Sequence, residues 1–249
     1  MLPAATRVAA FSSATAFYTD QRGATLVAMI DADAAVIAES IRRDFPVARS
    51  PRAPVRPLTT AAKIIDCVLS LRKPYNTVVV PRVSRFMDEH PKVRTCDDLL
   101  ALIGTHTTAA AFVAGALQMN SPRKAAMILG VVEYLLDAQK QFDAPTEEHR
   151  LTLWAQWVRP TDYLLLDVSN FKLAGFQYLR MHFGADTVKP DVYILRYVQN
   201  ALGRTIAGRP EREVQAVYAM ERASVLLGRT ARSIDANIWE RATDQALPS

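Results

Sequence analysis

The sequence VSNFKLAGFQYLRMHFGADTVKPDVYILRYVQNA, residues 168–201, predicts a tight turn, a helix to about His182, a short loop and a second helix headed by Asp191. Aspartate is favoured at a helix N-cap because its carboxylate accepts hydrogen bonds from the free main-chain amides of the first turn. Asp191 therefore has two interpretations, a helix cap and a functional carboxylate. This stretch by itself favours the cap.

The composition indicates an α-helical globular protein. The chain has 249 residues, which allow one large domain or two small ones, and half of the residues are apolar while 22% are charged. Glycine occurs only 9 times, which favours helix over sheet. The two cysteines, Cys67 and Cys96, are too few for a disulfide framework, a four-cysteine zinc site or a four-cysteine iron–sulfur cluster.

The charge and hydropathy of the chain limit its partners and its location. A net charge of +5 permits a polyanionic partner without requiring one. No run of 18 apolar residues occurs, so no membrane span is expected. Together with the low cysteine content, this predicts a reducing, cytoplasmic location.

Apolar residues recur at helical spacing along most of the chain, and no convincing pair of strands is found, so we predict an all-α protein. Outside the opening stretch, the predicted helices are residues 24–45, 61–71, 76–89, 96–103, 107–119, 122–139, 147–158, 161–167, 211–227 and 233–244. Residues 46–60 contain four prolines and three arginines and form a basic linker. This linker is either a solvated connector or an arm that lies on phosphates.

The common enzyme motifs are missing from the sequence. The four histidines, at positions 90, 106, 149 and 182, do not show the i, i+4 spacing of a metal site. The nucleophile elbow of serine hydrolases and the glycine-rich dinucleotide loop are also missing. No metal and no cofactor are therefore expected.

Four segments in series resemble the helix-hairpin-helix DNA glycosylase superfamily, which includes endonuclease III. Residues 64–103 are similar to its entry region, through the segment LSLR at 69–72 and the acidic–apolar stretch at 97–100. Residues 120–125, NSPRKA, are similar to the family's Asn-Ser-Lys-Ala at the head of a long helix. Residues 233–240, SIDANIWE, resemble its closing Leu-Asp-x-x-Leu-Trp. The resemblance covers roughly residues 61–240.

The resemblance implies a two-lobed, all-α fold. Residues 61–190 would form a six-helix lobe that ends in the helix-hairpin-helix, and residues 1–60 with 191–249 would form the second lobe. The family keeps an interval of seven residues between a glycine and its catalytic aspartate, and Gly184 and Asp191 keep this interval. Asp191 would then stabilise the positive charge that develops on the sugar and orient or deprotonate water, after the target base has been flipped out.

The resemblance also implies candidate binding residues. The DNA-binding candidates are Ser169, Asn170, Phe171, Lys172, Lys189, Arg72, Asn120, Ser121 and Lys124. The candidates for stacking on a base are Tyr75, Phe176, Tyr178 and Trp239. Each has a simpler interpretation: solvated charge for the lysines and Arg72, helix capping for residues 120–124, and core packing for the aromatic residues.

The hairpin departs from the family pattern. Ser169, Asn170 and Phe171 replace Gly-x-Gly, where glycine lets main-chain amides approach a phosphate, often with positive φ. Asparagine tolerates the left-handed conformation, whereas phenylalanine does so poorly. The lyase lysine of bifunctional members falls at Leu173, and Lys172 is one residue away, rotated by about 100° on the helix. The four-cysteine cluster loop of endonuclease III is also missing.

The resemblance thus implies a monofunctional DNA N-glycosylase that excises a modified or damaged base. It would act as a monomer on double-stranded DNA, in base-excision repair or in defence against modified foreign DNA. One alternative is a catalytically inactive helix-hairpin-helix module that binds DNA or a protein. Another is a helical scaffold unrelated to nucleic acids.

Overall fold

A computed structural model describes residues 21–47 and 56–246, so Arg49 and Arg52 of the basic linker lie outside the described residues. Within these ranges the chain is all-α and contains no strand, as predicted. The helices are α1 Gln21–Asp44, α2 Thr60–Ser70, α3 Val80–Glu89, α4 Cys96–Gly104, α5 Ala109–Ala116, α6 Pro122–Ala138, α7 Glu147–Trp157, α8 Leu173–His182, α9 Val192–Leu202, α10 Pro210–Leu227 and α11 Ala231–Ala246.

Two segments that were predicted as α-helices contain a π or a 3-10 helix instead, one in its first turn and the other throughout. The helix predicted at 76–89 begins as a π turn, Tyr75–Val79, and continues as α3. Pro81 lies in the first turn of α3 and has no main-chain N–H, which permits the wider turn before it. The segment predicted at 161–167 is a 3-10 helix, Pro160–Leu165. A further 3-10 turn, Gln139–Gln141, follows α6.

Side-chain hydroxyl caps explain where five of these helices begin, because a hydroxyl oxygen accepts a hydrogen bond from a free amide of the first turn. The hydroxyl caps of α2, α4, α5, α6 and α7 are Thr59, Thr95, Thr108, Ser121 and Thr146. Thr95 and Asp98 form a reciprocal capping box. Helices α9 and α10 end at Gly203 and Gly228, both left-handed, a conformation that glycine adopts without strain.

The buried apolar side chains form two clusters, which define two lobes. The large lobe has a core drawn from residues 61–185, on α2 to α8. The small lobe has a core drawn from residues 34–41 of α1 and from residues 188–238, together with Leu173. Helix α1 thus packs with the last three helices of the chain, and the chain crosses from one core to the other at the loop between α8 and α9.

No single described helix is long and apolar enough to cross a membrane. One pair, Cys96–Gly104 with Ala109–Ala116, meets the length and composition criteria only when combined, and its two helices are bent by 102°.

Candidate functional site

The turn before α8 is built around Asn170, whose φ is +66°, while neither Ser169 nor Phe171 has a positive φ. The positive φ that glycine adopts in the family hairpin is therefore adopted here by Asn170, and asparagine tolerates this conformation. The Phe171 side chain is buried, and its ring lies so close to Gly175 that a Cβ there would be 2.8 Å from it. Ser169, Asn170 and Lys172 are exposed.

Asp191 is the N-cap of α9. Its Oδ1 accepts hydrogen bonds from the amides of Tyr193, at 2.9 Å, and Ile194, at 3.3 Å. Burial raises the pKa of the Asp191 carboxyl, while the charge of Lys189 and the two amides oppose the rise. Oδ2 has no hydrogen-bond partner within the described ranges, so one oxygen holds the helix and the other is available to a ligand.

Lys189 connects the two lobes next to Asp191. Its ammonium lies 3.2 Å from Ser70 Oγ at the end of α2, and 4.0 Å from the ring centroid of Tyr178 on α8. Its main-chain amide donates to Asp235 Oδ2 on α11, at 2.8 Å. A cation over an aromatic face is attracted by the ring quadrupole. Lys189 is therefore held between the two lobes and is not a freely solvated lysine. We call the region where Lys189 meets Ser70, Tyr178 and Asp235 the junction of the two lobes.

A buried carboxylate lies beside this junction. Asp66 on α2 is only 2% exposed and accepts from the hydroxyls of Tyr75, at 2.9 Å, and Tyr178, at 3.0 Å. His182 Nε2 is 2.9 Å from the same carboxylate. Burial acts to raise the pKa of Asp66, but the hydrogen bond and charge of His182, together with the hydrogen bonds from Tyr75 and Tyr178, hold the pKa below its ordinary value. Asp66 therefore fixes two of the candidate base-pocket tyrosines.

The last helix supplies two further residues to the junction. Asp235 is partly buried beside Lys189 and Asp191, and the desolvation of its carboxyl raises the pKa to about 7. Trp239, one helical turn further on, packs edge to face on Tyr75 with ring centroids 6.2 Å apart. Because Tyr75 lies in the large lobe and Trp239 on α11, this ring pair is a second contact across the lobes.

Lys124 was predicted to contact DNA, but the structure places it inside the large lobe. It is 6% exposed, and its ammonium donates to the carbonyls of Val68 and Leu71 at the end of α2. Burial lowers the pKa of Lys124 to about 8. Its positive charge compensates the partial negative charge of the helix end, so its role is structural.

Phe176 was predicted to line a base pocket, but it is fully buried in the core of the large lobe. Its ring packs edge to face on Trp154 at 6.0 Å. The alternative of core packing therefore holds for Phe176. By contrast, Tyr75, Tyr178 and Trp239 are only partly buried and lie around the junction.

The other polar candidates lie at helix ends. Ser121 caps α6, with its Oγ 3.4 Å from the Lys124 amide, and Asn120 is exposed beside it. Arg72 follows α2, is exposed, and has a φ of +61°, which is uncommon for a residue with a side chain. The helix itself ends one residue earlier, at the extended Leu71, next to the contact between Ser70 and Lys189.

The comparison with protein families concerns a segment in the C-terminal part of the chain. Residues 172–243 match the model of a family described as Domain of unknown function (DUF8548). The matched segment runs from Lys172 to α11 and includes Lys189, Asp191, Asp235 and Trp239, but not Asp66 or Tyr75. No curated protein and no solved structure matches the chain.

Several polar residues of the junction were not site candidates from the sequence, namely Asp66, Ser70, His182 and Asp235. Asp66 offered a usable signal, because it is an acidic residue within the otherwise apolar segment IIDCVL, residues 64–69. A charge on the buried face of a helix requires partners. Among the described residues, no group of three or more histidine, cysteine, aspartate or glutamate side chains is suited to hold a metal ion.

Proposed function

We propose that the protein is a monofunctional DNA N-glycosylase that hydrolyses the N-glycosidic bond of a modified or damaged base. The observation that carries the proposal is the state of Asp191, which is anchored through Oδ1 to the amides of α9 while Oδ2 has no partner among the described residues. Anchoring removes the conformational freedom of the carboxylate, and the free oxygen can face a reacting sugar.

Asp191 would act on the sugar rather than on the base. As the N-glycosidic bond breaks, its electron pair leaves with the base and positive charge develops on the sugar ring. The ionised Asp191 stabilises this charge and accepts a proton from the water whose oxygen adds to C1′. Since the pKa of Asp191 is raised, mainly by burial, the carboxylate is a stronger base than an exposed aspartate.

Side chains around the junction would receive the flipped nucleotide. Tyr75 and Trp239 present aromatic rings that are fixed by their mutual contact and by Asp66. Lys189 places a positive charge beside Asp191, where it can attract the phosphate next to the target sugar. The exposed turn at Ser169 and Asn170 would contact the same strand through main-chain amides.

A second candidate is a catalytically inactive module of the same fold that binds DNA or a protein. The hairpin favours this candidate, because Ser169 and Phe171 carry side chains where the family has glycine and can keep a phosphate at a distance from the amides. The capping bonds of Asp191 would then be its whole role.

The two candidates differ in base release. The test is incubation of the full chain with duplex oligonucleotides that each carry one modified base, followed by mass spectrometry of the free bases. Release of at least one base supports the glycosylase. If DNA is bound, with an affinity that falls steeply with salt, and no base is released from any duplex, the inactive module is the correct function.

A further inference from the structure

A groove in the small lobe lies on the face of α9 that follows Asp191. It has a volume of about 470 Å³ and is formed by the end of α1, one face of α9 and one face of α11. This volume is in the range of small-molecule binding sites. The polar side chains that line it are Ser40, Arg43, Asp44, Tyr193, Arg196, Tyr197, Asn200 and Arg241.

The groove is positively charged. Arg43, Arg196 and Arg241 reach it from three different helices, and Asp44 is the only acidic residue among the described residues that line it. The Asp44 carboxylate is already bound to Arg43, at 3.1 Å, and to the hydroxyl of Tyr197, at 3.0 Å. Burial acts to raise the pKa of Asp44, but these two contacts hold it below its ordinary value, so one negative charge faces three positive ones.

Several guanidinium N–H donors of the arginines in and beside the groove have no hydrogen-bond partner among the described residues. Arg196 is exposed and makes no hydrogen bond or ion pair with any described residue. Arg241 donates one long bond, 3.3 Å, to the Asp44 carbonyl. Beside the groove, Arg229 donates to the Phe45 carbonyl at 3.1 Å, and its Nε and Nη2 are buried without a partner in the described part of the chain. Guanidinium groups match the oxygens of a phosphate in a two-pronged geometry.

Aromatic rings flank these charges. Phe45 and Tyr197 pack with ring centroids 5.9 Å apart, and the guanidinium carbon of Arg241 is 5.4 Å from the Phe45 centroid. Tyr193 also lines the groove, and its hydroxyl bonds to no described residue. A base has a flat face that stacks on aromatic and guanidinium planes, while its phosphate requires the arginines.

We propose that this groove binds a nucleotide unit, with its phosphate on Arg196 and Arg241 and its base against the tyrosine rings. The nucleotide is either free or part of a DNA strand, since both present the same phosphate and base. The inference does not depend on the glycosylase activity proposed for Asp191, because it rests on other residues and on a different surface.

Calorimetric titration of the full chain with deoxyadenosine monophosphate, and in parallel with deoxyadenosine, tests the proposal. The nucleotide should bind at least tenfold more tightly than the nucleoside. Arg196→Ala should weaken nucleotide binding at least tenfold, whereas Arg222→Ala should leave it unchanged. Arg222 is a matched control, because it is an exposed arginine whose partner is Asp31, away from the groove lining.

Equal affinity for nucleotide and nucleoside, no binding of either, or wild-type affinity in Arg196→Ala would each overturn the proposal. The comparison of nucleotide with nucleoside binding uses only the wild-type protein, so it is decisive even if the variant folds poorly.

Competition with an unmodified 20-base-pair duplex distinguishes a free nucleotide from a DNA strand as the source of the bound unit. Displacement of the nucleotide assigns the groove to a DNA strand, and no displacement assigns it to a free nucleotide. Base release that persists when nucleotide binding fails leaves the proposed function intact.

Discussion

The main-chain amide of Lys189 donates a hydrogen bond of 2.8 Å to Oδ2 of Asp235, which ties the loop before Asp191 to the last helix. Asp235 is partly buried, and the desolvation of its carboxyl raises the pKa to about 7. The contact that fixes the candidate catalytic loop therefore includes a group that titrates near neutral pH.

Asp235 should make the protein less stable as the pH rises from about 4 to 7. Its pKa is higher in the folded than in the unfolded state, so its contribution is fully present below the unfolded value and is lost as the pH passes the folded one. Asp235→Asn retains an oxygen acceptor for the Lys189 amide and cannot ionise. In urea unfolding, the stability of the variant relative to wild type should increase by about 2 kcal/mol between pH 5 and pH 8.

Asp235→Ala provides the control for this prediction. It removes both the titrating group and the hydrogen bond, so it should be less stable than Asp235→Asn at both pH values, by about 1 kcal/mol. A difference between wild type and Asp235→Asn that does not change between pH 5 and pH 8 would contradict the assigned titration.

Asp66 should have the opposite pH dependence. Its pKa lies below the ordinary value, so its stabilisation is present above about pH 4 and is lost as the pH falls through the folded value. Asp66→Ala leaves His182 and the hydroxyls of Tyr75 and Tyr178 without their acceptor in a buried site. The free energy of unfolding at pH 7 should fall by about 3 kcal/mol.

Asp137→Ala is the matched surface control, because Asp137 forms an exposed pair with Lys140 at 3.7 Å. It should change the stability by less than about 1 kcal/mol. If the two variants lose similar amounts of stability, the Asp66 network is not a stabilising element and the tyrosines are held by packing alone.

Lys124→Met should reduce stability without weakening DNA binding. The ammonium of Lys124 binds carbonyls at the end of α2, and methionine leaves them unsatisfied, which costs about 1–3 kcal/mol. Its neighbour Arg123 is exposed. Arg123→Met should be nearly neutral for stability and, if α6 faces DNA, should reduce the salt dependence of binding. A weaker salt dependence in Lys124→Met would mean that its ammonium leaves the helix end to reach DNA.

Local features were predictable from the sequence where a single segment determines them. The turn, helix α8 and the N-cap at Asp191 follow from residues 168–201, because capping and helical periodicity act within a few positions. The sequence also predicted an all-α fold. The 3-10 form of Pro160–Leu165 was missed, since both forms satisfy the same apolar pattern.

Features that depend on which helices pack together were harder to predict from the sequence. Lys124 and Phe176 have the residue types of surface and pocket positions, yet the end of α2 and the ring of Trp154 bury them. The groove of Arg43, Arg196 and Arg241 combines residues that are up to 198 positions apart in the chain. Spacing along the sequence contains no information about this convergence, because it arises only when α1 packs beside α9 and α11.

Asp191→Asn should abolish base release while DNA binding and folding persist. The asparagine oxygen can still accept from the amides of Tyr193 and Ile194, so α9 keeps its cap and the unfolding free energy should change by less than about 1 kcal/mol. The amide cannot stabilise the positive charge on the sugar or accept a proton from water, so the release rate should fall at least a hundredfold.

Asp186→Asn is the matched control, because Asp186 also holds a helix start, accepting from the Arg232 amide at 3.0 Å. It should retain wild-type release. Because the pKa of Asp191 is raised, the wild-type rate should increase with pH through a value above that of an ordinary aspartate and then level off. Equal release by wild type and Asp191→Asn, on any duplex that wild type cleaves, would reduce Asp191 to a helix cap and remove it from the mechanism.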